Sequence, residues 1–227
     1  MNNPWLDIPL ADYEAHMDLP EVGQAQLLAD VFATALAVHA PCSVAVLGCA
    51  GGNGFDRIPT SVTERIVGID VNPEYIDQAR RRYAHRLPGL ELFAGDVQHT
   101  AFAFAPVELV YAGLLFEYVD VRRTLERIRA MLCRNGRLVS VVQLPNPQVP
   151  EVSPSPFTSL SALSKVMHLV APESLREQAE SVGFRQTDTH HACSSGGKRF
   201  CVQTFQRGAK PDLRPPVTQT LRPDQAD

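Results

Sequence analysis

Four glycines, Gly48, Gly51, Gly52 and Gly54, fall within seven residues, directly after the apolar run Val44–Leu47. A continuous apolar run of this length suits a strand buried on both faces of a parallel sheet. Glycines packed so densely behind it let the backbone turn sharply and approach a ligand closely. A short helix could start there and aim its free N–H groups at the ligand. An ordinary strand-to-helix turn needs one or two glycines, so four point to a binding loop. Two carboxylates stand at the ends of the next strands. Asp70 closes Val-Gly-Ile-Asp, 22 residues after Gly48, and Asp96 follows the third strand in Phe-Ala-Gly-Asp-Val. A carboxylate at the end of a second strand is placed to accept hydrogen bonds from both hydroxyls of a ribose. Each aspartate has a plainer reading as a turn residue. For Asp70 that role is already filled by Asn72, which can cap the next helix.

The elements that must position these groups are legible along the chain. Gln24 to Val38 reads as a helix, with Leu27, Leu28, Val31, Phe32, Ala35 and Leu36 on one face. Strands are expected at Val44–Leu47, Ile66–Ile69, Leu90–Ala94, Val107–Ala112 and Arg137–Leu144. Helices are expected from Asn72-Pro73-Glu74 to about Arg86 and from Asp120 through Cys133. A proline-rich connection follows, then a helix from Pro172 to Val182 closed by Gly183. Phe184–His191 and Lys198–Gln206 read as strands of a hairpin around Ser194-Ser195-Gly196-Gly197. Residues 1 to 20, punctuated by Pro4, Pro9 and Pro20, are expected to be irregular. The expectation is an α/β fold: a Rossmann-like open twisted sheet, mostly parallel, with a C-terminal antiparallel hairpin. The domain expectation is a lid segment over residues 1–22, the main domain over 23–207 and a disordered proline-bearing tail over 208–227.

Composition narrows the function. The chain has 227 residues, 44% of them apolar, and a formal charge of -4, which argues against a nucleic-acid partner. No apolar stretch approaches the roughly 20 residues a bilayer span needs, and the first residues lack the pattern of a secretory signal. The five cysteines have no Cys-x-x-Cys pair, so neither a disulfide framework nor a metal site is indicated. The expected setting is the cytoplasm.

On the glycine loop, the two strand-end acids and the strand order, the chain from about residue 44 to 206 resembles the class I S-adenosylmethionine-dependent methyltransferases. Glu108-Leu-Val-Tyr-Ala-Gly-Leu-Leu-Phe-Glu-Tyr-Val119 looks like the family's fourth strand and following segment, and Arg134-Asn-Gly-Arg-Leu-Val139 like its entry to strand five. The resemblance implies S-adenosylmethionine as cofactor. Its amino-acid end would lie against the loop (Gly48, Cys49, Ala50, Gly52) and against Ala112 and Gly113. Its ribose would meet Asp70 beside Val71, and its adenine Asp96 and Val97. Two positions depart from the family pattern. Val46 stands where an acid usually precedes the loop, which leaves the cofactor ammonium to other groups such as backbone carbonyls near Gly48 and Ala112. Ala50 stands in place of the second loop glycine. A nicotinamide dinucleotide is the rival ligand, but its G-x-G-x-x-G fingerprint has no match in residues 48–54. A catalytically inactive binding domain is the non-enzymatic alternative.

Methyl transfer from a sulfonium is an in-line displacement, so positioning supplies much of the catalysis, and a base is needed only if the acceptor must lose a proton. Candidate catalytic groups are Glu117 and Tyr118 after strand four and Tyr13, Glu14 and His16 near the N-terminus. Glu117 has an equally plain reading as a solvated or helix-start acid. His190-His191, Arg80–Arg82 and Arg122-Arg123 read as surface groups. Phe102 and Phe104 read as core. The place of an Asn/Asp-Pro-Pro-aromatic motif is taken by Ala-Gly-Leu-Leu-Phe, so a small-molecule acceptor is expected rather than a nucleobase.

Overall fold

A computed structural model of the chain describes residues 3–148 and 150–208. The expected tail lies outside the described residues, apart from Gly208. Seven strands form one sheet: β1 (Ser43–Leu47), β2 (Arg65–Asp70), β3 (Leu90–Ala94), β4 (Val107–Gly113), β5 (Leu132–Gln143), β6 (Phe184–Cys193) and β7 (Arg199–Arg207). Their order is β3-β2-β1-β4-β5-β7-β6. The β1–β5 pairings are parallel, and β7 runs antiparallel between β5 and β6. The chain therefore reverses its lateral direction between β1 and β4, and the cleft of an open α/β sheet lies at that point.

Period-two alternation divides the core between the faces of the sheet. Ala45, Leu47, Val110 and Ala112 pack with Leu125, Ile128 and Leu175 on one side. Val44, Val46, Leu109 and Tyr111 pack with Phe32, Leu36 and Ile76 on the other. Helices cover both faces: α2 (Gln24–His39), α3 (Pro73–Tyr83), α4 (Val121–Met131) and α5 (Pro172–Ser181). Asn72 caps α3 through a 2.9 Å bond from the Glu74 amide, and Asp120 caps α4 through a 2.7 Å bond from the Arg123 amide.

Several boundaries differ from the sequence expectation. The N-terminal stretch is not irregular: α1 spans Leu10–Met17, with Pro9 in an extended conformation at its start. Its prolines bracket the helix instead of interrupting it. Ile8, Met17 and Val22 are buried, so this stretch packs on the domain. No α-helix follows β1. Gly48, Gly52 and Gly54 all have positive φ, and the loop closes in a single 3-10 turn at Phe55–Arg57 before Pro59. The helix expected through Cys133 stops at Met131, because Leu132 already enters β5 beside Val107. The fifth strand, expected over Arg137–Leu144, starts earlier, at Leu132, and holds Asn135 at φ 64° beside a bulge. At the other end of the chain the β6–β7 hairpin tip touches the N-terminal segment. Ser195 Oγ donates to the Pro20 carbonyl at 3.0 Å. Only a glycine fits at 196, since a Cβ there would collide with the Glu21 carbonyl.

Candidate functional site

The cleft lies beyond the carboxyl ends of β1–β5, where a turn or loop after each strand contributes to one cavity. After β1, Gly48 and Cys49 donate their amides to the Ile69 carbonyl at 2.8 and 3.1 Å, which ties the loop to β2. Ala50, at φ 48°, donates its amide to Asp70 Oδ2 at 2.8 Å. An alanine therefore holds a left-handed conformation that glycine would adopt without strain. The second Asp70 oxygen accepts from the Asn72 amide at 2.9 Å. The plain and the functional readings of Asp70 thus coexist: it organises the turn and it also lines the cavity. Burial raises its pKa to about 6, against the opposing pull of the Asn72 and Ala50 amides. A carboxylate offers about four acceptor positions, more than the amides of Ala50, Val71 and Asn72 occupy, so acceptor capacity stays open for a ligand hydroxyl.

Asp96 follows β3 and accepts from the Gln98 amide at 2.8 Å and from the His99 ring at 3.0 Å. Desolvation pushes its pKa up, but the bonds from Gln98 and His99 outweigh that and leave it below the ordinary carboxylate value. Val71, Val97 and Gly113 line the cavity with Gly48, Ala50, Asp70 and Asp96. Three residues the sequence reading grouped with them do not. Cys49 of the loop and Ala112 of β4 are buried in the core, with relative exposures of 1% and 0%. Gly52, at φ 94°, turns toward the Tyr83 ring, where a Cβ would lie 2.5 Å from Cε2. It is a packing glycine of the loop. Val46 is likewise buried in the core.

The opposite end of the cavity is assembled from elements far apart in sequence. Glu117, in the 3-10 turn Phe116–Tyr118 after β4, is wholly buried, which contradicts its reading as a solvated acid. Its Oε1 accepts from the Gln143 amide at 2.7 Å, and its Oε2 has no partner. Burial raises its pKa to about 7. Gln143, the last residue of β5, is the hub of this end. Its Oε1 receives Gln24 Nε2 at 3.5 Å and Lys198 Nζ at 3.4 Å, and its Nε2 donates to the Glu151 carbonyl at 2.9 Å. Lys198 Nζ also donates to that carbonyl at 2.6 Å. Burial lowers the Lys198 pKa to about 8, partly offset by Glu151. His16, on α1, is buried with Nδ1 unpartnered, and burial followed by the Lys198 charge lowers its pKa, so it is neutral at pH 7. Ser153 Oγ is the third unpartnered buried atom in the lining.

Aromatic rings wall the cavity. Trp5 meets Tyr118 edge-on at 5.1 Å and Tyr13 at 5.5 Å, and Tyr13 stacks on Tyr75 at 6.3 Å. Burial raises the pKa of Tyr13 and Tyr118, so both phenols stay protonated. Among the catalytic candidates this leaves Glu117 and His16 with a free basic atom in the cavity. Glu14 lies outside it and pairs with Arg82 at 2.5 Å, on the surface. The histidine pair is on the surface as expected, with His190 3.1 Å from Asp188, while Phe102 and Phe104 pack against Phe93. Sequence reasoning missed Trp5, Gln24, Gln143, Ser153 and Lys198. For Gln143 a signal existed, since it ends a strand on the cleft side; the others carry no local signature. Among the described residues no helix is long and apolar enough to cross a membrane.

A family described as a methyltransferase domain matches residues 44–136. An uncharacterized methyltransferase-like protein of Schizosaccharomyces pombe is 26% identical over 199 residues, which cover 87% of this chain and 70% of that one. An uncharacterized 37.1 kDa protein in transposon TN4556 of Streptomyces fradiae is 30% identical over 96 residues, covering 41% of this chain and 28% of that one. Among solved structures, the N-methyltransferase NodS from Bradyrhizobium japonicum WM9, in complex with S-adenosyl-L-homocysteine, superposes with a TM-score of 0.67 at 18% identity. That match covers 91% of this chain and 99% of NodS.

Proposed function

We propose that this chain is a class I S-adenosylmethionine-dependent methyltransferase and carries the cofactor's methyl group to a small-molecule acceptor bound at the β4–β5–β7 end of its cleft. The observation that supports this reading most is the row of groups at successive strand ends, Gly48–Ala50, Asp70, Asp96–Val97 and Gly113, lining one cavity. The residues fit the cofactor. Beside Gly48 a Cβ would meet nothing closer than Leu115 at 3.7 Å, so the loop leaves room for a ligand. Asp70 keeps acceptor capacity suited to a ribose hydroxyl, and the partly exposed Asp96 would meet the adenine, as the family resemblance implies. Val46 offers no carboxylate for the ammonium, so we assign that role to backbone carbonyls of the loop near Gly48.

S-adenosylmethionine, when bound, supplies an activated methyl group for in-line displacement. The protein's own part is to hold the acceptor in line, exclude water and, where needed, take a proton. Trp5, Tyr13 and Tyr118 form a dry wall on the acceptor side. Through Trp5, Tyr13, His16 and Met17 the segment up to residue 22 closes the cleft, which is the role we assign to it. Glu117 Oε2 is the preferred base: it is buried, unpartnered and half-ionised near pH 7. His16 Nδ1 is the second candidate. The reading is tested by titrating the protein calorimetrically with S-adenosylmethionine and with NAD, then screening a metabolite panel with methyl-labelled cofactor. Binding of S-adenosylmethionine alone and label transfer to a small acceptor are expected. Binding of NAD alone would refute it.

A further inference from the structure

Lys198 is 4% exposed, and among the described residues its hydrogen-bond partners are two uncharged oxygens, Gln143 Oε1 and the Glu151 carbonyl. A buried ammonium without a bonded counter-ion is costly, and a ligand anion removes that cost. The lysine is also held firmly. The Ser194 amide bonds to its carbonyl at 2.9 Å across the β6–β7 turn, and Ser195 fastens that turn to Pro20. It lines the same cavity as Ser153, whose buried Oγ has no partner among the described residues. The same cavity offers an apolar wall from Trp5, Tyr118, Leu160 and Met167.

We propose that the methyl acceptor is a small hydrophobic carboxylic acid, whose carboxylate is taken by Lys198 with Ser153 donating beside it. The inference rests on the methyl-transfer reading and adds the acceptor class to it. Lys198 fixes the acid end, and the aromatic wall takes the apolar body. His16 is neutral and does not compete as a cation. An uncharged hydroxyl or amide could accept the same hydrogen bonds but would leave the buried charge only partly offset, by the Glu151 carboxylate acting at a distance, so the site discriminates by charge.

The test uses the full chain saturated with S-adenosylhomocysteine and titrated with acetate, benzoate and phenylacetate, each against its neutral amide. At least one carboxylate is expected to bind tenfold or more tightly than its amide. In Lys198→Met that preference should fall below twofold while the affinity for S-adenosylhomocysteine stays within twofold. Lys198→Gln, which keeps a donor but no charge, should lose the preference equally. These variants remove a buried charge, so the fold is expected to survive, and retained S-adenosylhomocysteine binding checks it. The proposal is overturned if no carboxylate binds better than its amide, or if the preference persists in Lys198→Gln. Failure of S-adenosylhomocysteine to bind at all would instead refute the methyl-transfer reading beneath it.

Discussion

At the β1–β3 end of the cleft, Asp70 and Asp96 meet backbone amides from their own or the neighbouring strand-end loop: Ala50 and Asn72 for the first, Gln98 for the second. At the β4–β5–β7 end, Glu117 Oε2, His16 Nδ1 and Ser153 Oγ are buried with no partner among the described residues. The first arrangement is a cradle whose acids are already held by backbone amides. The second leaves polar atoms whose desolvation costs about 1–3 kcal/mol each until a partner arrives. That contrast fits a common cofactor held in a preformed loop and an acceptor that completes its own site. It also separates what single substitutions should do at each end.

The largest effect is expected at the unfinished end. Glu117→Gln keeps the acceptor oxygen for the Gln143 amide and removes the base. Turnover of an acceptor found by the label screen should fall by about 100-fold or more, with S-adenosylmethionine affinity within about twofold. Equal turnover would move the base role to His16 or remove it. At the finished end, Asp70→Ala should weaken S-adenosylmethionine binding by roughly 1.5–3 kcal/mol, since charge-assisted bonds to the ribose are lost. An unchanged dissociation constant in a folded variant would remove Asp70 from the cofactor's partners.

Gly52→Ala separates loop packing from ligand contact. Its Cβ would press on the Tyr83 ring at a φ of 94°, so stability should drop by roughly 1–3 kcal/mol in denaturant titrations. Cofactor affinity of the folded fraction should change little, because Gly52 lies off the cavity lining. A binding loss without a stability loss would return Gly52 to the ligand contact.

The pH dependence of stability gives a further handle on Glu117. Its pKa is raised from 4.5 to about 7 on folding. The folded state therefore holds a proton that the unfolded chain releases first. The associated stability is fully present below pH 4.5 and is lost as pH rises through about 7. Glu117→Gln should accordingly flatten the decline between pH 4.5 and 7 and be more stable than the parent at pH 8, by up to about 3 kcal/mol. A parallel pH profile for parent and variant would contradict the buried, protonated carboxyl. The smallest effect belongs to the exposed Glu14–Arg82 pair. Glu14→Gln should cost less than about 1 kcal/mol while speeding hydrogen exchange at residues 10–20. Unchanged exchange would mean that other contacts alone hold α1.

The difference between the two ends also explains what could be read from sequence. Strand order, the caps at Asn72 and Asp120, and the row Gly48, Asp70, Asp96 follow from local patterns, because each group sits within a few residues of the strand that places it. Within that row, side-chain direction was not legible: Gly52 and Cys49 share the loop with Ala50 but turn into the core. α1 was hidden because three prolines dominate its stretch, although they flank the helix. The acceptor end joins residues 16, 24, 117, 143, 153 and 198, which only the sheet order β5-β7-β6 and the clamp of Ser195 on Pro20 bring together. No periodicity or spacing could report that meeting.

Calorimetric titration of the full chain with S-adenosylmethionine, beside NAD and the Asp70→Ala variant, tests the central claim most directly. Saturable one-site binding of S-adenosylmethionine, none of NAD, and a loss of at least tenfold in affinity on replacing Asp70 are predicted. Heat for NAD alone, or S-adenosylmethionine binding that ignores Asp70, would contradict it.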